Sequence, residues 1–298
     1  GFVAMPGEPH LGGKYVQKLE KLFCDKFGSL YAASFNSATS ALHGALIAAD
    51  IKEGDEVLVP TWSMSASATS VVMTGAKPVF VDIENDFFCM DTDKILKSLT
   101  KKTKAIIVVN LFGLPSNLVK IRQICDQNNL VLIEDNAQAP GAKCENKYTG
   151  SYGDISIYSL NRHKTIQCGE GGIALTDNKK YLHRLRLVRN HAEAVFPEFH
   201  NDEKNLGGDD IIGFNYRLTS LQAAIAIPQM DKLDSLNEYR VTLANKLSNM
   251  LADFDFLAAP KIRKDCSHVY YLYPMIFDEK KAGMTRNEFV RRMSDEGA

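Results

Sequence analysis

A mostly parallel α/β sheet flanked by helices, followed by a smaller α+β C-terminal unit, is the fold class this sequence predicts, and three observations predict it. Strand-length runs rich in β-branched residues recur between residues 56 and 175, helical patterns separate several of them, and from about Leu218 the pattern turns helical. The runs are short, largely apolar and mostly β-branched, as expected of strands in a mostly parallel sheet covered on both faces.

In order, residues 14–28 place Val16, Leu19, Leu22, Phe23 and Phe27 at helical spacing and end on Gly28, which reads as an amphipathic helix. A strand is expected at Leu30–Phe35, then a polar turn and an alanine-rich helix over Asn36–Asp50. Further strands are expected at 56–59, 79–83, 105–109, 130–133, 155–158 and 173–175, with helices at 63–74 and 115–128. Leu218–Phe256 is expected to be helical, with a long connecting helix after Pro228. Tyr270–Phe277 reads as a strand of the smaller unit and Thr285–Ser294 as its helix. The expected division is a large domain over 1–230 and a small, incomplete one over 231–298, because the chain stops where that unit would continue.

The 298 residues, 45% hydrophobic and 24% charged, have ordinary globular composition. A net charge of -1, with no arginine-rich or aromatic-interleaved stripe, argues against nucleic acid as a partner. Six scattered cysteines without a CxxC pair predict reduced thiols, with neither a disulfide framework nor a metal site. No apolar run is long enough to span a bilayer, and the N-terminus lacks both an initiator Met and the charged-then-apolar order of a signal peptide. The expectation is a soluble, cytoplasmic protein without membrane partners.

In such a sheet ligands bind beyond the carboxyl ends of the strands, so the residues after each apolar run come first. Asn36-Ser37-Ala38-Thr39 opens a helix whose free N–H groups could hold a phosphate, although Ser or Thr there ordinarily serves only as a cap. Glu134-Asp135-Asn136-Ala137-Gln138 brings an acidic pair out of a buried strand, suited to a cofactor, a metal or a helix cap. Ser159 through Lys164, followed by Cys168-Gly169-Glu170-Gly171-Gly172, offers a lysine between a strand and a flexible turn. A lone lysine is ordinarily a solvated charge; here it is also a candidate imine-forming amine. The glycines do not form the GxGxxG fingerprint.

With GFNYRLTSLQAAIA as a fourth junction, the order of pieces resembles the DegT/DnrJ/StrS family of pyridoxal-phosphate (PLP) dependent sugar aminotransferases, of the type I aspartate aminotransferase fold. The resemblance runs from about Gly13 to the end and also includes NSATSALHGAL, GDEVLVPTWS, TGAKPVFVDI, TKAIIVVNLFG, EDNAQAPGA and GDISIYSLNRHKTIQCGEGG. It implies that Lys164 holds PLP as a Schiff base and moves the proton in both half-reactions, with pyridoxamine phosphate as the intermediate form. It implies Asp135 beside the ring nitrogen and Gln138 on the ring hydroxyl. The Ser37–Thr39 turn with Ser159 would hold the phosphate, and Asn215 would reach it from a second subunit, so a homodimer would share its sites.

Three positions depart from the family pattern: Met64 stands where an aromatic ring usually covers the cofactor, Ala38 replaces a common glycine, and Asn136 a small apolar residue. Either Met64 covers the ring, or the loop shifts and Trp62 does. His163 and Glu170 stay without assigned roles, and His43, His183 and His191 have no ligand-like spacing. The resemblance implies an amino donor, usually L-glutamate, and a keto-sugar acceptor, typically nucleotide-linked, whose identity depends on loops such as 193–209. Two alternatives are a sugar dehydratase using pyridoxamine phosphate, which Lys164 opposes because those relatives carry histidine there, and a non-catalytic regulatory member, which intact Lys164, Asp135 and Gln138 oppose.

Overall fold

The computed structural model describes residues 12–192 and 211–297. Chain order gives α1 (Lys14–Phe27), β1 (Tyr31–Phe35), α2 (Ala38–Ala48), β2 (Glu56–Pro60), α3 (Ala66–Met73), β3 (Lys77–Val81) and α4 (Thr92–Ser98). Then come β4 (Thr103–Val109), α5 (Leu118–Asn128), β5 (Val131–Asp135), the hairpin β6 (Lys143–Cys144) and β7 (Lys147–Tyr148), β8 (Ile155–Ser159) and β9 (Gly172–Thr176). Last are α6 (Lys179–Arg189), α7 (Ser220–Met230), α8 (Leu233–Leu251), β10 (Leu257–Ala258), β11 (Ile276–Phe277), α9 (Glu279–Ala282) and α10 (Arg286–Asp295).

Seven strands form one sheet in the order β1-β9-β8-β5-β4-β2-β3, and only β9 runs against the others. Alternation along each strand sends neighbouring side chains to opposite faces, both covered by helices, which explains why the runs are largely apolar. Ala33, Phe35, Val57, Ile107, Ile133 and Ile157 pack under α2, α3 and α6. Their neighbours go to the other side: Ala32, Tyr158 and Ile173 meet α1 and α7, while Leu58, Ile106, Val108 and Leu132 meet α4 and α5. Among the described residues no helix is long and apolar enough to cross a membrane.

Gly28 ends α1 in the left-handed conformation, φ +75°, with its N–H on the Cys24 carbonyl, as its position after Phe27 predicts. The long helix begins at Leu233 rather than directly after Pro228, which lies inside α7 near its end. Tyr270–Phe277 is not a strand: only Ile276 and Phe277 pair, with Ala258 and Leu257. Tyr270 adopts φ +49°, Pro274 has no N–H to give a ladder, and the Val269 and Leu272 amides donate instead to the Gly113 and Phe112 carbonyls. Residues 266–272 are therefore a strap laid against the large sheet's own loop.

Candidate active site

The six parallel strands end on one edge of the sheet, where the chain builds a cavity of about 480 Å3. Ser37, Ala38, Thr39, Met64, Asp135, Gln138, Ser159 and Lys164 all line it. Of the residues expected at the site, only Asn215 is absent from this wall. It is exposed, bridges to Asn190, and accepts from Asn36 Nδ2 at 3.3 Å through its carbonyl.

Ser37 begins α2 with a reciprocal cap: its Oγ accepts the Ser40 N–H and Ser40 Oγ accepts the Ser37 N–H, both at 3.1 Å. The Ala38 and Thr39 amides donate to nothing among the described residues and face the cavity at the positive end of the helix. Gly172, which opens β9, passes directly beneath this turn. A Cβ there would lie 2.5 Å from the Ser37 carbonyl oxygen and 2.7 Å from the Ala38 nitrogen, so a larger residue would push the turn away. With the Ser159 hydroxyl on the same wall, these free donors suit a phosphate.

At the end of β5 the alternation of side chains separates two acids. Asp135 enters the cavity, where its Oδ1 accepts the Ala137 N–H at 2.9 Å. Burial pushes its carboxyl up from the ordinary value, opposed by the Ala137 amide and the Lys164 charge. A protonated ring nitrogen would complete this set by stabilising the carboxylate. Glu134 points the other way, wholly buried, and accepts the N–H groups of Gly150, Tyr152 and Gly153 at 2.7–2.8 Å. Asn136, also buried, accepts from Asn110 Nδ2 at 2.7 Å, and the same Asn110 nitrogen donates to Glu134 at 3.3 Å. The departure at Asn136 is thus a polar brace behind the strand end, since a buried amide needs such partners.

Gln138 is oriented by its neighbour across the edge. Its Oε1 accepts the Phe112 N–H at 2.6 Å, which leaves the amide nitrogen, a donor, for the cavity. A ring hydroxyl oxygen is a fitting acceptor.

Lys164 sits in the loop between β8 and β9, which backbone bonds close at its base: Leu160 N–H to Gly171 O and Arg162 N–H to Gly169 O. Its Nζ lies 4.5 Å from the centre of the Tyr271 ring. His163 and Glu170 share the wall, and Glu170 accepts from Asn161 Nδ2 at 2.7 Å. Met64, 66% exposed, lines the cavity, whereas Trp62 stands outside it, edge-on to Phe88 and Phe112. His43 lies elsewhere, buried against the Tyr216 hydroxyl at 3.2 Å.

Sequence reasoning missed Tyr271. Its strap reaches the cavity because Gly113, φ +100°, lets backbone approach: a Cβ there would lie 3.0 Å from the Tyr270 and Tyr271 nitrogens. Glycine at 113 was legible; its partner strap, far along the chain, was not.

The model of the DegT/DnrJ/EryC1/StrS aminotransferase family matches residues 4–298. GDP-perosamine synthase of Escherichia coli O157:H7 is 35% identical over 286 residues, 95% of this chain and 74% of that protein. Among solved structures, S. venezuelae DesV in complex with a ketimine intermediate gives a TM-score of 0.86 at 29% identity, covering 96% of this chain and 73% of that one. The E. coli GDP-4-keto-6-deoxy-D-mannose-3-dehydratase with bound hydrated PLP gives 0.84 at 26%, covering 96% and 76%.

Proposed function

We propose, for a chain that belongs to the DegT/DnrJ/EryC1/StrS aminotransferase family, a two-stage transfer of an amino group from L-glutamate to a nucleotide-linked keto-sugar in amino-sugar biosynthesis. The family is one of PLP-dependent sugar aminotransferases. The observation that carries the finer reading is the meeting of Lys164, Asp135 and the free Ala38 and Thr39 amides in one cavity. When bound, the cofactor supplies a carbonyl carbon for amines and a ring that withdraws electrons from the substrate carbon.

In this reading the Ala38 and Thr39 N–H groups and the Ser159 hydroxyl hold the phosphate, Asp135 keeps the ring nitrogen protonated, Gln138 donates to the ring oxygen and Met64 covers one face. Lys164 would anchor the cofactor through its amine, and its Nζ would also be the base that holds and moves a proton at the substrate carbon. Asn215, exposed on its own copy, reaches the phosphate of a second, so two copies share their sites. The substrate loop 193–209 lies outside the described residues.

The likeness to a dehydratase favours a second reading, C–O cleavage on the same fold. Lys164, with its amine inside the cavity, opposes it. The deciding experiment adds L-glutamate to the PLP-loaded protein, follows bleaching of the visible cofactor band, then screens keto-sugars for its return. Lys164→Ala should show neither that band nor turnover above about one part in a thousand of wild type; an unchanged spectrum and rate would remove the assignment.

A further inference from the structure

The six cysteines are scattered in sequence, yet two of them face each other in the fold. Cys144, at the end of β6, and Cys266, at the start of the strap, form an isolated antiparallel bridge. The flanking amides define its type: Glu145 N–H donates to Asp265 O and Ser267 N–H to Lys143 O, both at 2.8 Å. The cysteines thus occupy the non-hydrogen-bonded position of the pair, where opposed Cα atoms lie about 4.5 Å apart and side chains are closest. That falls within the roughly 4.4–6.8 Å a disulfide bridges. Cys266 also opens onto a groove of about 470 Å3 walled by Lys143, Glu145, Asn146 and Asp265, while Cys144 is buried behind it.

From this geometry we propose that Cys144 and Cys266 form a reversible disulfide by exchange with a low-molecular-weight disulfide, and that the bond staples the Tyr271-bearing strap to the β6–β7 hairpin. The Cys266 thiolate, reached from the groove, attacks one sulfur of RS–SR; that S–S bond breaks and RS− leaves. Cys144 then attacks Cys266 sulfur in the mixed disulfide and expels the second RS−. The protein loses two electrons and two protons, and RS–SR becomes two RSH.

The electrostatics set this pair apart from the other thiols. A hydrogen bond between the thiols lowers Cys144 to about 7 and pushes Cys266 up, so the pair loses its first proton easily. The first charge therefore rests on Cys144, and Cys266 attacks only after its own proton passes to Cys144 along the same bond. The other thiols are unlike this pair: burial raises Cys24 and Cys168 to about 11 and Cys125 to about 12, and it raises Cys89 as well.

The proposal does not depend on the catalytic reading, and its test needs no substrate. The folded full chain is equilibrated with oxidised glutathione, its free thiols are counted, and non-reducing peptide mapping locates any bond. Titratable thiols should fall from six to four with a Cys144–Cys266 crosslink that dithiothreitol reverses. Cys144→Ser should trap a glutathione adduct on Cys266. Amide exchange at Val269 and Leu272 should slow several-fold in the oxidised wild type. Six thiols remaining in the wild type, or a crosslink between other cysteines, would overturn the disulfide; unchanged strap exchange in a crosslinked protein would overturn the staple.

Discussion

Asp135 and Glu134 are chemically similar neighbours that the strand turns into different devices. Glu134 is anchored by three backbone amides within the protein, while Asp135 has one such donor and faces the cavity. On the proposed reading, replacing Asp135 by Asn would remove the charge needed beside a protonated ring and leave the proposed Ala38, Thr39 and Ser159 cradle in place. Asp135→Asn should therefore still bind PLP, measured by equilibrium dialysis, and lose about 100-fold or more in turnover; near-normal turnover would contradict the role. The acid and the lysine drew notice because each follows a strand-like run, and the family resemblance of the surrounding motifs singled them out together with the glutamine. The orientation of Gln138 was not, since it depends on a Phe112 amide from another loop.

At the level of elements, the strap is the part the sequence misassigned. Its apolar, aromatic composition suits a strand, but a left-handed Tyr270 and Pro274 break the ladder and its amides pair with the Phe112–Gly113 loop. His268 helps hold this shape: its Nδ1 accepts the Tyr270 N–H at 2.9 Å, which only an unprotonated nitrogen can do, and its ring stacks on Tyr270. Burial lowers His268 from 6.5 to about 4. The unfolded chain therefore binds a proton there at higher pH than the fold does. The stability gained from the neutral ring is complete above about 6.5 and is lost as pH falls toward 4, on the order of 3 kcal/mol across the whole window. In urea unfolding, wild type should lose about 2 kcal/mol more than His268→Asn between pH 7 and pH 5. Parallel pH profiles would show that His268 is not the titrating group.

On the scale of the whole molecule, the sheet positions the site by topology: six parallel strands deliver their ends to one edge, and β9 alone reverses so that Gly172 lies beneath the α2 turn. Asn215 stands outside the cavity of its own copy, which motivates a mixing experiment. Lys164→Ala and Asn215→Ala chains, each inactive alone, should regain about a quarter of wild-type activity when dissociated and reassociated together, because half of the random dimers carry one intact site of two. No recovery would argue for sites built from single copies. Sequence periodicity was sufficient for the α/β class and the strand ends, because these follow from local alternation, and the family resemblance of the motifs at those ends named half of the residues that line the cavity. Only the folded chain could decide which distant segments meet. The Tyr271 strap over Lys164, Met64 rather than Trp62 at the wall, and Cys144 opposite Cys266 depend on backbone pairing between remote residues, which no local pattern encodes.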